Sequence, residues 1–112
     1  MIDPKDYLDC CQTPKLANVL TIVDTTHESE ILRRCEECRK WWFYRFFEFV
    51  SFDGPDDITE WYTSLTDEEA IIIKQAKERP DLSFLGEKDS FMIDNQGVRK
   101  VKGQPTYLYY GS

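Results

Sequence analysis

Long apolar runs, phosphate-binding motifs and histidines are the features this sequence lacks or nearly lacks. Its 112 residues include one histidine, His27, and five scattered glycines. A membrane-spanning helix needs at least about 18 apolar residues, so we predict no transmembrane segment and no membrane partner. No glycine-rich phosphate loop is present, and no Gly-x-Ser-x-Gly sequence accompanies the single histidine. The sequence therefore favours a protein that is not an enzyme.

Positive charge is missing from one long stretch of the chain. From Phe46 to Ile73 there are eight acidic residues and no lysine or arginine, in a chain of net charge −7. This sign repels phosphate backbones and counts against nucleic acid as a partner. The simplest interpretation is a solvated face that keeps the protein soluble. The alternative is a surface that binds another, basic protein, and its candidate residues are Asp53, Asp56, Asp57 and Glu60.

Aromatic residues are abundant, with three tryptophans, six tyrosines and seven phenylalanines. They provide much buried area per residue, so a chain of this length can form one core. We therefore expect a single domain, residues 1–112. The first eleven residues are acidic and have no apolar segment of the kind found in secretory signals. We therefore expect the protein to stay in the reducing cytoplasm. There the four cysteines are expected as thiols or thiolates.

Hydrophobic patterning predicts a sheet and one helix. The predicted strands cover 16–24, 30–35, 41–52 and 58–65, followed by a hairpin over 90–101 and an edge strand over 106–110. The run over 41–52 is apolar on both faces, which predicts a central strand covered on both sides. Thr66 and Glu69 form a capping-box pattern, and Pro80 is expected to end the helix after Arg79. The predicted fold class is α+β: mostly antiparallel sheet with one main helix, about 67–79, and a zinc-knuckle-like hairpin.

Cys35 and Cys38 are separated by two residues, a spacing that lets one tight turn present two sulfurs to one metal ion. Because the pair lies between two predicted strands, this short stretch resembles half of a zinc ribbon. The resemblance implies a structural zinc ion with further ligands elsewhere in the chain. The adjacent Cys10 and Cys11 are the candidates, with His27 completing the site if only one of these two cysteines binds.

Two other interpretations of the same region remain open. Residues 33–45 carry five basic groups against two acids, and together with Trp41 and Trp42 they are typical of a nucleic-acid-binding zinc ribbon. The Cys-x-x-Cys spacing also occurs in thiol-redox proteins, where the pair precedes a helix. Here a strand-like aromatic run follows Cys38 instead, which favours the metal interpretation.

In size and acidity the chain resembles, in general character, the bacterial immunity proteins and antitoxins that cover basic toxin sites. That resemblance implies a protein–protein interaction module with no catalytic residues. We therefore predict a small cytoplasmic protein that is stabilised by zinc and binds another protein through its acidic residues. The candidate zinc ligands are Cys10, Cys11, Cys35, Cys38 and His27.

Overall fold

A computed structural model describes residues 15–49, 57–76, 82–94 and 97–103. Within those ranges it contains six strands, one α-helix and one short 3-10 helix. The strands are β1 (Leu16–Asp24), β2 (Glu28–Cys35), β3 (Trp41–Phe49), β4 (Asp57–Leu65), β5 (Asp89–Asp94) and β6 (Gly97–Lys102). The helix α1 covers Asp67–Gln75, and the 3-10 helix covers Ser83–Glu87.

All six strands belong to one antiparallel sheet, in which each strand pairs with its neighbours along the chain in the order β1-β2-β3-β4-β5-β6. As far as the described residues show, the sheet is not closed, and β1 and β6 are its edges. Of the described residues, 62% are in strands and 19% are helical, so the described part of the protein is mostly β. The predicted α+β class is therefore wrong, because the α-helix of the described ranges has only nine residues and the sheet supplies most of the buried side chains.

Most individual elements predicted from the sequence are present. The predicted strands over 16–24, 30–35 and 58–65 correspond to β1, β2 and β4, and the predicted hairpin over 90–101 corresponds to β5 and β6. The strand predicted over 41–52 is confirmed as β3 up to Phe49. Residues 50–52 and the predicted edge strand 106–110 lie outside the described residues.

Helix α1 begins at the capping box that the sequence predicted. The Thr66 hydroxyl accepts a hydrogen bond from the backbone N–H of Glu69 at 3.1 Å, and the Glu69 carboxylate accepts one from the backbone N–H of Thr66 at 2.8 Å. The helix ends at Gln75, since Ala76 already has an extended backbone with φ −67° and ψ 129°. The predicted end at Arg79 was therefore wrong by about one helical turn.

An ion pair between Lys88 and Glu69 joins the start of β5 to α1. Burial alone would raise the pKa of Glu69, but the hydrogen bonds from Lys88 and from the Thr66 backbone together hold it below its usual range. A lowered pKa means that this carboxylate stabilises the fold at neutral pH. The stabilisation is lost as the pH falls through the lowered pKa.

Side chains of the sheet alternate between two faces, and both faces contain buried residues. One face, the helix side, packs against α1 and the 3-10 helix. Its buried cluster is Leu32, Trp41, Phe43, Leu65, Ala70, Ile73 and Leu85. The buried cluster of the opposite face, the far side, is Trp42, Tyr44 and Tyr62. Strand β3 contributes to both clusters, which confirms the prediction of a central strand covered on both sides.

A buried ion pair lies on the helix side of the sheet. Glu30 of β2 and Arg45 of β3 are cross-strand partners, and Arg45 Nη2 lies 2.6 Å from Glu30 Oε2. Glu30 is fully buried and Arg45 is 4% exposed. The Arg45 guanidinium also lies 5.2 Å from the ring centroid of Phe43, so the pair is continuous with the aromatic core.

Candidate metal site at the β2–β3 loop

The Cys-x-x-Cys sequence forms the loop between β2 and β3. Cys35 is the last residue of β2 and is buried, whereas Cys38 lies in the turn and is exposed. Two backbone hydrogen bonds close the loop, from Cys35 N–H to Lys40 O and from Arg39 N–H to Cys35 O, both at 2.9 Å. Arg39 has a φ of 67°, the left-handed region that tight turns use. The two cysteines are therefore held on one short loop, as a metal knuckle requires.

The chain approaches this loop from its N-terminal side at Lys15. The backbone N–H of Glu36 donates to Lys15 O at 2.8 Å, and Lys15 Nζ lies 3.3 Å from the Glu37 carboxylate. Cys11 is four residues before Lys15, a distance that an extended chain spans in at most about 14 Å. Cys10 and Cys11 lie outside the described residues, but their attachment point is beside the loop that holds Cys35 and Cys38.

His27 lies at the other end of β2. It occupies the turn between β1 and β2, where its ring Nδ1 is 2.9 Å from Glu48 Oε1. Eight residues separate it from Cys35 along a strand that rises roughly 3.3 Å per residue, which places the two about 25 Å apart. The structure therefore does not bring His27 to the Cys35–Cys38 loop.

The structure brings together two of the five predicted ligands, Cys35 and Cys38. Across the described ranges, no three histidine, cysteine, aspartate or glutamate side chains form a group that could hold a metal ion. A complete site at this loop would consequently need Cys10 and Cys11. Because these two cysteines are adjacent in the sequence, joint binding of one tetrahedral ion by both would strain the backbone.

The predicted acidic surface is described only in part. Asp53 and Asp56 lie outside the described residues, and Asp57 is the first residue of β4. Glu60 lies on the far side, where its carboxylate accepts a 2.5 Å hydrogen bond from the Tyr44 hydroxyl. Burial and this hydrogen bond raise the pKa of Tyr44 well above its usual range. Glu60 is thus already engaged within the sheet.

The basic residues of the 33–45 segment do not form one surface. Arg33 lies on the far side, where its Nη1 donates to the Tyr62 hydroxyl at 3.0 Å and its guanidinium lies 4.0 Å from the Tyr44 ring centroid. Arg34 lies on the helix side, with its guanidinium 4.6 Å from the Trp41 ring centroid. Consecutive residues of a strand face opposite sides of the sheet. Because Arg33 and Arg34 are consecutive within a predicted strand, the sequence alone could have indicated that they lie on different faces.

Neither tryptophan of this segment presents a ring for stacking. Trp41 is 6% exposed and Trp42 is 1% exposed. Sequence-tolerant binding of single strands depends on accessible aromatic faces. Because these rings are buried and the arginines lie on opposite faces, the described part of this segment offers no surface on which bases could stack.

In comparisons with known proteins, no family model, no curated protein and no solved structure matches this chain. Neither helix in the described ranges is long and apolar enough to cross a membrane. The interpretation of function therefore depends on the residues themselves.

Proposed function

We propose that this chain is a small non-enzymatic protein, stabilised by a zinc ion at the β2–β3 loop, that binds a basic partner protein. The observation that supports the zinc proposal is the hydrogen bond from Glu36 N–H to Lys15 O, since it holds Lys15, four residues after Cys11 in the sequence, beside the loop of Cys35 and Cys38. Because thiolate ligands require a reducing compartment, the proposal includes the cytoplasm.

A zinc ion with four protein ligands has no open position for water or substrate, so its role here is structural. It would connect the segment before β1 to the β2–β3 loop. Strands β1 and β2 separate these two parts of the chain in the sequence. Metal binding of this kind adds its free energy to that of folding. A chain of only 112 residues benefits from such a connection.

We expect native mass spectrometry of the reduced protein, purified without chelator, to detect one zinc ion per chain. The informative variant is Cys38→Ser, because Cys38 is exposed and its replacement leaves the core intact. This variant should lose zinc, and its free energy of unfolding in urea should fall by several kcal/mol, on the order expected for a structural zinc site.

The matched control for this experiment is His27→Ala, which should retain zinc because His27 lies at the opposite end of β2. Separate Cys10→Ser and Cys11→Ser variants then identify the remaining ligands. An apo mass that stays unchanged after zinc is supplied would contradict the metal proposal. Reversible disulfide formation between Cys35 and Cys38 under the same conditions would favour the thiol-redox alternative.

The partner proposal is supported by charge. The chain carries a net charge of −7, and its acids are concentrated between Phe46 and Ile73. Two of these acids, Asp67 and Glu68, are exposed in the first turn of α1. A surface of this sign accelerates association with a basic partner and suppresses binding to acidic ones.

Reversing Asp57, the first residue of β4, and Asp56, which precedes it in the sequence, should remove the partner. We expect a basic protein to co-purify with the tagged wild-type chain and to be depleted at least about tenfold with an Asp56→Lys, Asp57→Lys variant, as for loss of a complementary charged patch. The control, Glu87→Lys with Asp89→Lys, reverses two exposed acids at the end of the 3-10 helix and the start of β5. If both variants lose the partner equally, or if both retain it, the acidic segment is only a solvated face and not the binding surface.

A further inference from the structure

A small pocket lies between the edge strand β1 and the β2–β3 loop. Its volume is about 290 Å³, near the lower end of the range for small-molecule sites. The lining residues are Ala17, Val19, Arg34, Cys35, Glu36 and Arg39. The pocket therefore combines an apolar wall from β1 with two arginines from β2 and the loop.

Contacts of its side chain hold Arg34 in place. Arg34 Nε donates to the backbone carbonyl of Arg39 at 3.1 Å, and the Arg34 guanidinium lies 4.6 Å from the Trp41 ring centroid. The backbone of Arg39 is fixed by its left-handed φ and by the hydrogen bond from its N–H to Cys35 O, while its side chain is exposed. The position of Arg34, at least, is therefore set before any ligand binds.

A third cation lies close by. Lys74 Nζ of α1 is 5.3 Å from the same Trp41 ring centroid, so it stands within roughly 10 Å of the Arg34 guanidinium, about the Debye length in 0.1 M salt. Within the described part of the chain, Arg34, Arg39 and Lys74 make no ion pair.

This concentration of positive charge is unexpected for a chain with 21 acidic and 14 basic residues. One lining residue, Glu36, is acidic, and it is exposed. The neighbouring Glu37 is engaged by Lys15. Among the described residues, no acid forms an ion pair with Arg34 or Arg39, so an anionic ligand would fit the charge of the pocket.

We propose that the pocket binds a small organic carboxylate. The planar guanidinium of an arginine matches a carboxylate with two parallel hydrogen bonds, and Ala17 and Val19 provide a wall for an apolar body. Val19 is 42% exposed, so this wall is accessible. The site is separate from the proposed partner surface, and it borders the proposed zinc site because Cys35 lines it.

The test is a titration of the purified protein with benzoate, with inorganic phosphate in parallel, followed by calorimetry and by the NMR signals of arginine Nε–H groups. Benzoate should bind saturably with a millimolar Kd and shift the Arg34 signal. Arg34→Gln should weaken binding about tenfold, the loss expected for a charge-assisted hydrogen-bonded pair. The control is Arg99→Gln on β6, at the opposite edge of the sheet from β1, where Arg99 pairs with Asp94. This variant should leave the Kd for benzoate unchanged.

Three results would overturn the proposal. Equal weakening by Arg34→Gln and Arg99→Gln would mean that benzoate responds only to overall charge. Phosphate binding without benzoate binding would mean that the apolar residues of β1 do not contribute to ligand binding. A flat benzoate titration, with lower zinc content in Arg34→Gln, would mean that the arginines only neutralise zinc-bound thiolates. Because benzoate binding has its own readout, failure of the zinc proposal does not affect this test.

Discussion

Replacing Glu30 by alanine should lower the free energy of unfolding by about 3–5 kcal/mol, the cost of removing one partner from a buried ion pair. Glu30 is fully buried and lies 2.6 Å from Arg45. Without the carboxylate, the Arg45 guanidinium would remain in a region from which water is excluded. The loss is large because domains of this size are stable by only about 5–15 kcal/mol.

Urea denaturation of Glu30→Ala, Glu48→Ala and the wild type measures this effect. Glu48 pairs with His27 at the surface, where an ion pair contributes at most about 1 kcal/mol. A Glu30→Met, Arg45→Met double variant should be more stable than Glu30→Ala, because no buried charge is left behind. If Glu30→Ala costs no more than Glu48→Ala, the pair is solvated in solution and the description of the helix side is incorrect there.

The second large effect is expected at Trp42, on the far side of the sheet. Trp42 is 1% exposed, with its ring centroid 6.5 Å from that of Tyr62 in an edge-on arrangement and 6.3 Å from that of Phe91. Removing an aromatic side chain of this size leaves a cavity. We expect Trp42→Ala to lower the free energy of unfolding by about 3–5 kcal/mol.

This variant also distinguishes a structural tryptophan from a binding one. Ile72→Ala on α1 is the control, since Ile72 is 61% exposed and its truncation should change stability by less than about 0.5 kcal/mol. A base-stacking Trp42 would instead give a stable variant that had lost affinity for single-stranded nucleic acid. Stability equal to that of the control would therefore revive the nucleic-acid alternative.

Local patterns predicted local structure well. The run from Trp41 is apolar at odd and even positions alike, and such a run is stable only between two covered faces, as β3 is. The capping box at Thr66 depends on residues three apart, so it could be identified without knowledge of the fold. The predicted helix end failed because it relied on Pro80 alone.

Contacts between strands were harder to predict, because they depend on register. Glu30 and Arg45 are 15 residues apart, and they pair only because the loop after Cys35 sets the alignment of β2 with β3. Glu60 was predicted at an acidic surface, yet the alignment of β3 with β4 places it beside Tyr44. The fold class failed for a related reason, since element lengths decide it and the helix is shorter than its pattern suggested.

The order of the strands in the sheet has a consequence for how the chain folds. Each of the six described strands is hydrogen-bonded only to its neighbours in the sequence. Closing a short loop costs little chain entropy compared with closing a long one. The β1–β2, β2–β3 and β5–β6 hairpins have short connections and can form early, whereas the pairing of β4 with β5 must also close the longer segment that contains α1 and the 3-10 helix. The predominance of local pairings favours fast folding.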